Sequence, residues 1–71
     1  MQRNKQKKIS NMKWSELRRI AEEKGWYLHR NGANHDIYIH NEKENHIIIG
    51  RHKTQEVPRD AYKRLKKQIG F

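Results

Sequence analysis

Five histidines could move a proton near neutral pH in this 71-residue chain, and His35 stands apart by its setting. It follows the small, turn-forming run Asn31-Gly32-Ala33-Asn34 and opens the alternating run Asp36-Ile37-Tyr38-Ile39. A loop followed by such a strand presents an imidazole at an accessible strand end instead of burying it. With an unperturbed pKa of about 6.5, imidazole accepts and releases protons near neutrality. The chain is also basic: 17 Lys and Arg against 8 Asp and Glu give a net charge of +9. That excess points to a polyanionic partner. A titratable base on a basic domain suggests chemistry on RNA, in which His35 takes the 2′-hydroxyl proton and the oxygen attacks the neighbouring phosphate. Nearby cations would stabilise the transition state.

The remaining candidates are weaker. Arg51, His52 and Lys53 form a basic cluster that either grips phosphate or is a solvated linker, and His52 or a water could serve as the acid for the leaving oxygen. Lys63, Arg64, Lys66 and Lys67 could meet an RNA backbone, making affinity fall with salt, or could be a solvated helix face. Asn34 could hold the loop or bond RNA, whereas Asp36 is given a structural role. Tyr38, on the opposite strand face from Ile37 and Ile39, is a candidate for base stacking. Trp14 and Trp26 are expected in the core. His29, His40 and His46 read as exposed strand residues. His35 and His40 are five apart and face opposite sides of a strand, and the chain has no cysteine and no Asp/Glu cluster. Neither a metal nor another cofactor is expected.

Size and composition set the frame. One small domain is the most that 71 residues hold, and a domain of roughly 60 residues is typically marginal in stability. The lack of cysteine excludes a disulfide-stapled scaffold and fits a reducing cytosol, the expected location. No apolar run approaches the roughly 18 residues of a membrane span, and the basic start has no apolar stretch behind it. Residues 1–11 carry Arg3, Lys5, Lys7 and Lys8 and no acid, leaving 13 basic against 8 acidic side chains, or +5, for residues 12–71. They read as a flexible basic extension ahead of a single folded domain, 12–71.

Periodicity supplies the elements. Trp14, Leu17, Ile20, Ala21 and Lys24 recur at three and four, which predicts a helix over 14–24 that Ser15 or Asn11 could cap and Gly25 ends. Strands are expected at 26–30, 35–40 and 46–49, separated by Asn31-Gly32 and by the polar turn 41–45. Ile37 and Ile39 would share one face. Pro58 suits a helix start, and Val57, Ala61, Leu65 and Ile69 fall four apart, predicting a second helix over 58–69 that stops at Gly70. The order is α-β-β-β-α. So small an antiparallel sheet must pack both helices on one face to build a core, the double-stranded-RNA-binding-domain-like arrangement of an α+β fold.

In order and spacing, Ser15-Glu16-Leu17, Gly25-Trp26, Gly32-Ala33-Asn34-His35-Asp36-Ile37-Tyr38, Arg51-His52 and Val57-Pro58 resemble the HicA toxins over about residues 12–71. The resemblance implies a bacterial type II toxin–antitoxin system and a double-stranded-RNA-binding-like fold. It also implies ribosome-independent mRNA cleavage that inhibits translation, and neutralisation by a HicB-type antitoxin covering the active face. The family's catalytic histidine falls on His35, and DNA would be met only indirectly, through the antitoxin complex. Two positions depart from the pattern. Gly50 stands where a proline often precedes the Arg-His pair, and the loop reads Gly-Ala-Asn instead of Gly-Ser or Gly-Gly-Asn. The competing readings are a non-catalytic RNA-binding module of the same fold and a DNA- or protein-binding adaptor. DNA binding lacks the second helix of a helix-turn-helix.

Overall fold

A computed structural model describes residues 12–71. The basic extension 1–11, and with it Asn11 as a cap, lies outside the described residues. The elements run α1 (Trp14–Glu23), β1 (Tyr27–Asn31), β2 (His35–Ile39), β3 (Ile47–Gly50) and α2 (Arg59–Ile69). The three strands form one antiparallel sheet in the order β1-β2-β3. This is the α-β-β-β-α order expected from the sequence.

Helix α1 is made by its stripe. Leu17 and Ala21 are buried, with Trp14 and Ile20 packed partly against the core. Glu16 and Glu23 hold Arg19 on the wet face, an i,i+3 and an i,i+4 pair. Neither Ser15 nor any other side chain caps it; the cap position is Lys13. The linker after β3 caps it instead. Trp14 N–H donates to Gln55 O at 3.1 Å and Ser15 N–H to Lys53 O at 3.2 Å, satisfying first-turn donors that a helix leaves unpaired. Val57 N–H donates to Met12 O at 2.8 Å and completes this seam. At the other end Gly25 takes the left-handed conformation, φ +99°, that stops the helix.

Helix α2 follows Pro58, whose carbonyl accepts the first helical bond from Tyr62 N–H at 2.8 Å. The buried face is Tyr62, Leu65 and Ile69, with Ala61 only half-buried. Tyr62 lies outside the predicted stripe, and its ring meets Phe71 edge-on at 6.3 Å. Both helices and one face of the sheet contribute to a single core that includes Leu17, Trp26, Ile47, Ile49, Val57 and Leu65.

The sheet's orientation corrects the expectation for β2. Asp36 and Tyr38 face the helices, 4% and 3% exposed, while His35, Ile37 and Ile39 alternate onto the open face. Tyr38 is therefore a core residue and not a stacking platform. Its ring packs inward, its hydroxyl donates to Glu22 Oε2 at 3.3 Å, and burial pushes the phenol pKa up. The β3 register matches: Tyr38 pairs with Ile47 and Asp36 with Ile49 inside, Ile37 with Ile48 outside. A bulge at His29, between the Leu28–Tyr38 and Arg30–Ile37 pairs, bends the edge strand β1.

His40 is a further correction, because it joins two elements instead of standing exposed on a strand. Its Nδ1 accepts Glu42 N–H at 2.9 Å, and Nε2 lies 2.9 Å from Lys24 O. With Nδ1 accepting from Glu42, Nε2 is the nitrogen that donates to Lys24 O, and the ring ties the β2–β3 turn to the end of α1. Trp26 packs edge-on against it, ring centroids 5.3 Å apart.

Candidate RNA-cleavage site

His35 is the first residue of the central strand and is exposed. It pairs with Gly50 at the last position of β3. Its carbonyl accepts Gly32 N–H at 2.7 Å, closing the four-residue turn between β1 and β2. Gly32 is required there by close approach, because a Cβ would stand 2.8 Å from His35 O. Asn34 is exposed at the tip of the same turn. The turn and the β2–β3 ladder fix the backbone at His35 and leave the imidazole free on the open face.

Beneath the histidine the sequence neighbour Asp36 is buried and fully engaged. Its Oδ1 accepts Asn31 Nδ2 at 2.8 Å and Arg51 Nη2 and Nε at 2.8 and 3.2 Å, and its Oδ2 accepts Arg18 Nη2 at 3.3 Å. The Asn31 hydrogen bond, then that from Arg51, holds the Asp36 carboxyl below its usual pKa, outweighing the opposing effect of burial. The cluster joins β1, β2, the linker and α1. Arg18 also lies over the Tyr38 ring, 6.0 Å from its centroid.

A carboxyl depressed on folding contributes stability above the ordinary aspartate range and loses it as pH falls through the folded value. Asp36→Asn is expected to lower stability near neutrality by about 1.5 kcal/mol, the scale of a hydrogen bond to a charged group. The gap between wild type and variant is expected to narrow as pH falls from the ordinary aspartate range through the folded pKa, and to level off below it. Thermal unfolding of both proteins across the acid range measures it; a gap independent of pH would refute it.

The other sequence candidates fall in different places. Arg51 turns back into the fold instead of facing outward, because the end of β3 sets it beside the turn that precedes His35. His52 and Lys53 are exposed in the linker just beyond Gly50, the pairing partner of His35, so the same end of the sheet carries all three. Lys63 and Lys67 are exposed on α2. Lys67 borders a groove with Trp26 and the β2–β3 turn residues Lys43–Asn45, at the far end of β2 from His35. The structure thus joins Arg51 to the turn that carries Asn34 and His35, sets His52 and Lys53 in the linker at the same end of the sheet, and places Lys63 and Lys67 on α2. Arg18 and Asn31 are not singled out by the sequence. A buried acid on an amphipathic strand is the available signal that such partners exist.

The open face beside His35 is apolar. Ile48 and Tyr27 are 47% and 45% exposed, and the half-buried Ile37 and Ile39 lie between them in the register Tyr27–Ile39 and Ile37–Ile48. Arg30 and His29 line the groove along Ile37 and Ile39. Among the described residues no cluster of three His, Cys, Asp or Glu side chains is arranged to hold a metal ion. No helix among them is long and apolar enough to cross a membrane.

Fold and site together define a small basic α+β domain that presents an exposed histidine at the start of its central strand. The model of the family described as HicA toxin of bacterial toxin–antitoxin matches residues 14–71, from the first residue of α1 to the end of the chain. The chain belongs to the HicA toxin family, toxins of toxin–antitoxin systems. No curated protein matches it in sequence.

Proposed function

We propose that this toxin is a metal-independent endoribonuclease that cleaves mRNA and so inhibits translation. His35 is the general base. Its imidazole removes the 2′-hydroxyl proton, the oxygen attacks the adjacent phosphorus, and the bond to the 5′-oxygen breaks. The products are a 2′,3′-cyclic phosphate and a 5′-hydroxyl end. The observation that carries this reading is the free imidazole of His35 at an exposed strand end, its backbone fixed on both sides, in a chain of +9 charge. Lys53, in the linker beyond the residue paired with His35, supplies positive charge for the phosphorane-like transition state. His52 is the candidate acid for the leaving oxygen, and Asn34 the candidate contact at the turn tip. Lys63 and Lys67 add to the overall field without a part in the chemistry.

The partner that neutralises it is a HicB-type antitoxin covering the open sheet face. Exposed Ile48 and Tyr27, with the half-buried Ile37 and Ile39 between them, favour a protein cover, since contiguous apolar surface marks interaction sites. The basic charge calls for acidic groups on that partner, so association weakens with salt. DNA is reached only through the complex.

Incubating the purified protein with a defined single-stranded RNA in EDTA tests the reading. Cleavage leaving cyclic-phosphate ends is expected. Salt-dependent binding without cleavage would replace this account with a non-catalytic RNA-binding module of the same fold.

A further inference from the structure

Nothing holds the His35 ring itself among the described residues, so its direction is set by the chain on either side. That chain is a turn of small residues, Gly32-Ala33-Asn34, with little packing of its own. One side chain from the other edge of the sheet spans it. Arg51 donates from Nη1 to Ala33 O at 3.2 Å, and from Nη2 to Gly32 O and, at 3.4 Å, to His35 O. The same guanidinium meets Asp36 Oδ1 through Nε and Nη2. It therefore bonds to the residues before His35, to His35 itself and to the residue after it. Asp36 in turn is tied to α1 through Arg18 and to β1 through Asn31.

We propose that Arg51 is a positioning residue for His35, locking the Gly32–His35 turn onto the buried Asp36 carboxylate, and is not a phosphate grip. Each of the three guanidinium nitrogens donates to an acceptor within the chain, which fixes the fork although the side chain is 40% exposed. The fixed planar fork lets one group reach three carbonyls and a carboxylate, which the single ammonium of lysine cannot do. The loss on disturbing it is one of orientation, since small misplacements of a reacting group cost rate out of proportion to their size.

This inference rests on His35 being the base. The experiment compares wild type, Arg51→Lys, Arg51→Ala and His35→Ala at a temperature where each is folded by its melting curve. Arg51→Lys keeps the charge and loses the fork. Its kcat is expected to fall at least tenfold, close to that of Arg51→Ala, with KM within about twofold of wild type. RNA affinity is measured in the His35→Ala background, where no cleavage intervenes. Its salt slope is expected to be the same in His35→Ala and in the double variant His35→Ala/Arg51→Ala. A phosphate grip predicts the opposite: Arg51→Lys active, Arg51→Ala raised in KM, and a salt slope smaller by about 0.7 per lost contact to a single strand. That outcome overturns the proposal. Should Arg51→Lys not fold, Asp36→Asn carries the same test, because it keeps the shape and removes the charge that orients the fork. Lower kcat at unchanged KM supports the proposal and unchanged kcat overturns it. His35→Ala cleaving like wild type would remove the reading beneath it, whereas an inactive His35→Ala beside a fully active Arg51→Lys would sink this inference alone.

Discussion

His35→Ala is expected to lower RNA cleavage by about 10²–10⁴-fold, the contribution typical of a positioned general base, with the melting temperature little changed. The two halves of that expectation have separate grounds. The ring is exposed on the open face, outside the buried core that gives the domain its stability, so removing it deletes no packing. What holds the backbone there is the ladder to Gly50, the Gly32–His35 turn bond and Arg51, and alanine preserves all of these. On the proposed mechanism the reaction loses its proton acceptor, since the carboxylate beside it in sequence, Asp36, is buried and engaged by donors. Steady-state cleavage of one RNA by both proteins, with melting curves alongside, measures it. Near-wild-type cleavage by a folded His35→Ala protein would end the assignment.

Gly50→Ala is expected to destabilise the domain by about 3 kcal/mol, the upper part of the range for overpacking, and to impair cleavage as well. A Cβ at Gly50 would lie 2.5 Å from Trp14 Cε2 and 2.7 Å from Nε1, so the indole at the start of α1 rests directly on this glycine. The ring is rigid and half-buried, and the helix start that carries it is bound to the linker through Gln55 and Lys53. Relief must come from moving Trp14 or β3. Movement of β3 shifts the pairing partner of His35. In a domain this small, about 3 kcal/mol is a large share of the total stability. Adding Trp14→Ala removes the obstacle, and the double variant is expected to be less destabilised than the two single changes summed. Chemical denaturation of the four proteins tests it; strict additivity would show that the indole is not the cause. The same contact explains why glycine at the position before Arg51 is accommodated in this chain.

Much of the fold was legible because it depends on local pattern. The spacing of Leu17 and Ala21, the stop at Gly25, the turn at Asn31-Gly32 and the apolar run Ile47–Ile49 each mark an element within a residue or two of its bounds. The inner face of β2 was not legible. Alternation separates two faces, yet both carry large apolar groups here, and period two does not say which is covered. The helices chose the face with Asp36 and Tyr38. Partners distant in sequence made that possible: Arg18, Asn31 and Arg51 for the carboxylate, and Glu22 for the phenol. The cap of α1 was hidden for the same reason, since Gln55 and Lys53 supply backbone carbonyls from the linker beyond all three strands, and only tertiary structure brings those groups together. Of the candidate site, the exposed placement of His35 at the start of β2 was legible from its turn-strand setting. The use of Arg51 was not, because a sequence shows its charge and not the direction it turns.

Attack by the 2′-hydroxyl is the step that two matched oligonucleotides isolate. One is an RNA that the wild-type protein cuts in EDTA, and the other is the same sequence with every ribose 2′-O-methylated. Cyclic-phosphate ends are expected from the first, with no cleavage of the second and competitive inhibition of the first by the second. Cleavage of the methylated strand at a comparable rate would contradict it, because the attacking oxygen would then have to come from elsewhere.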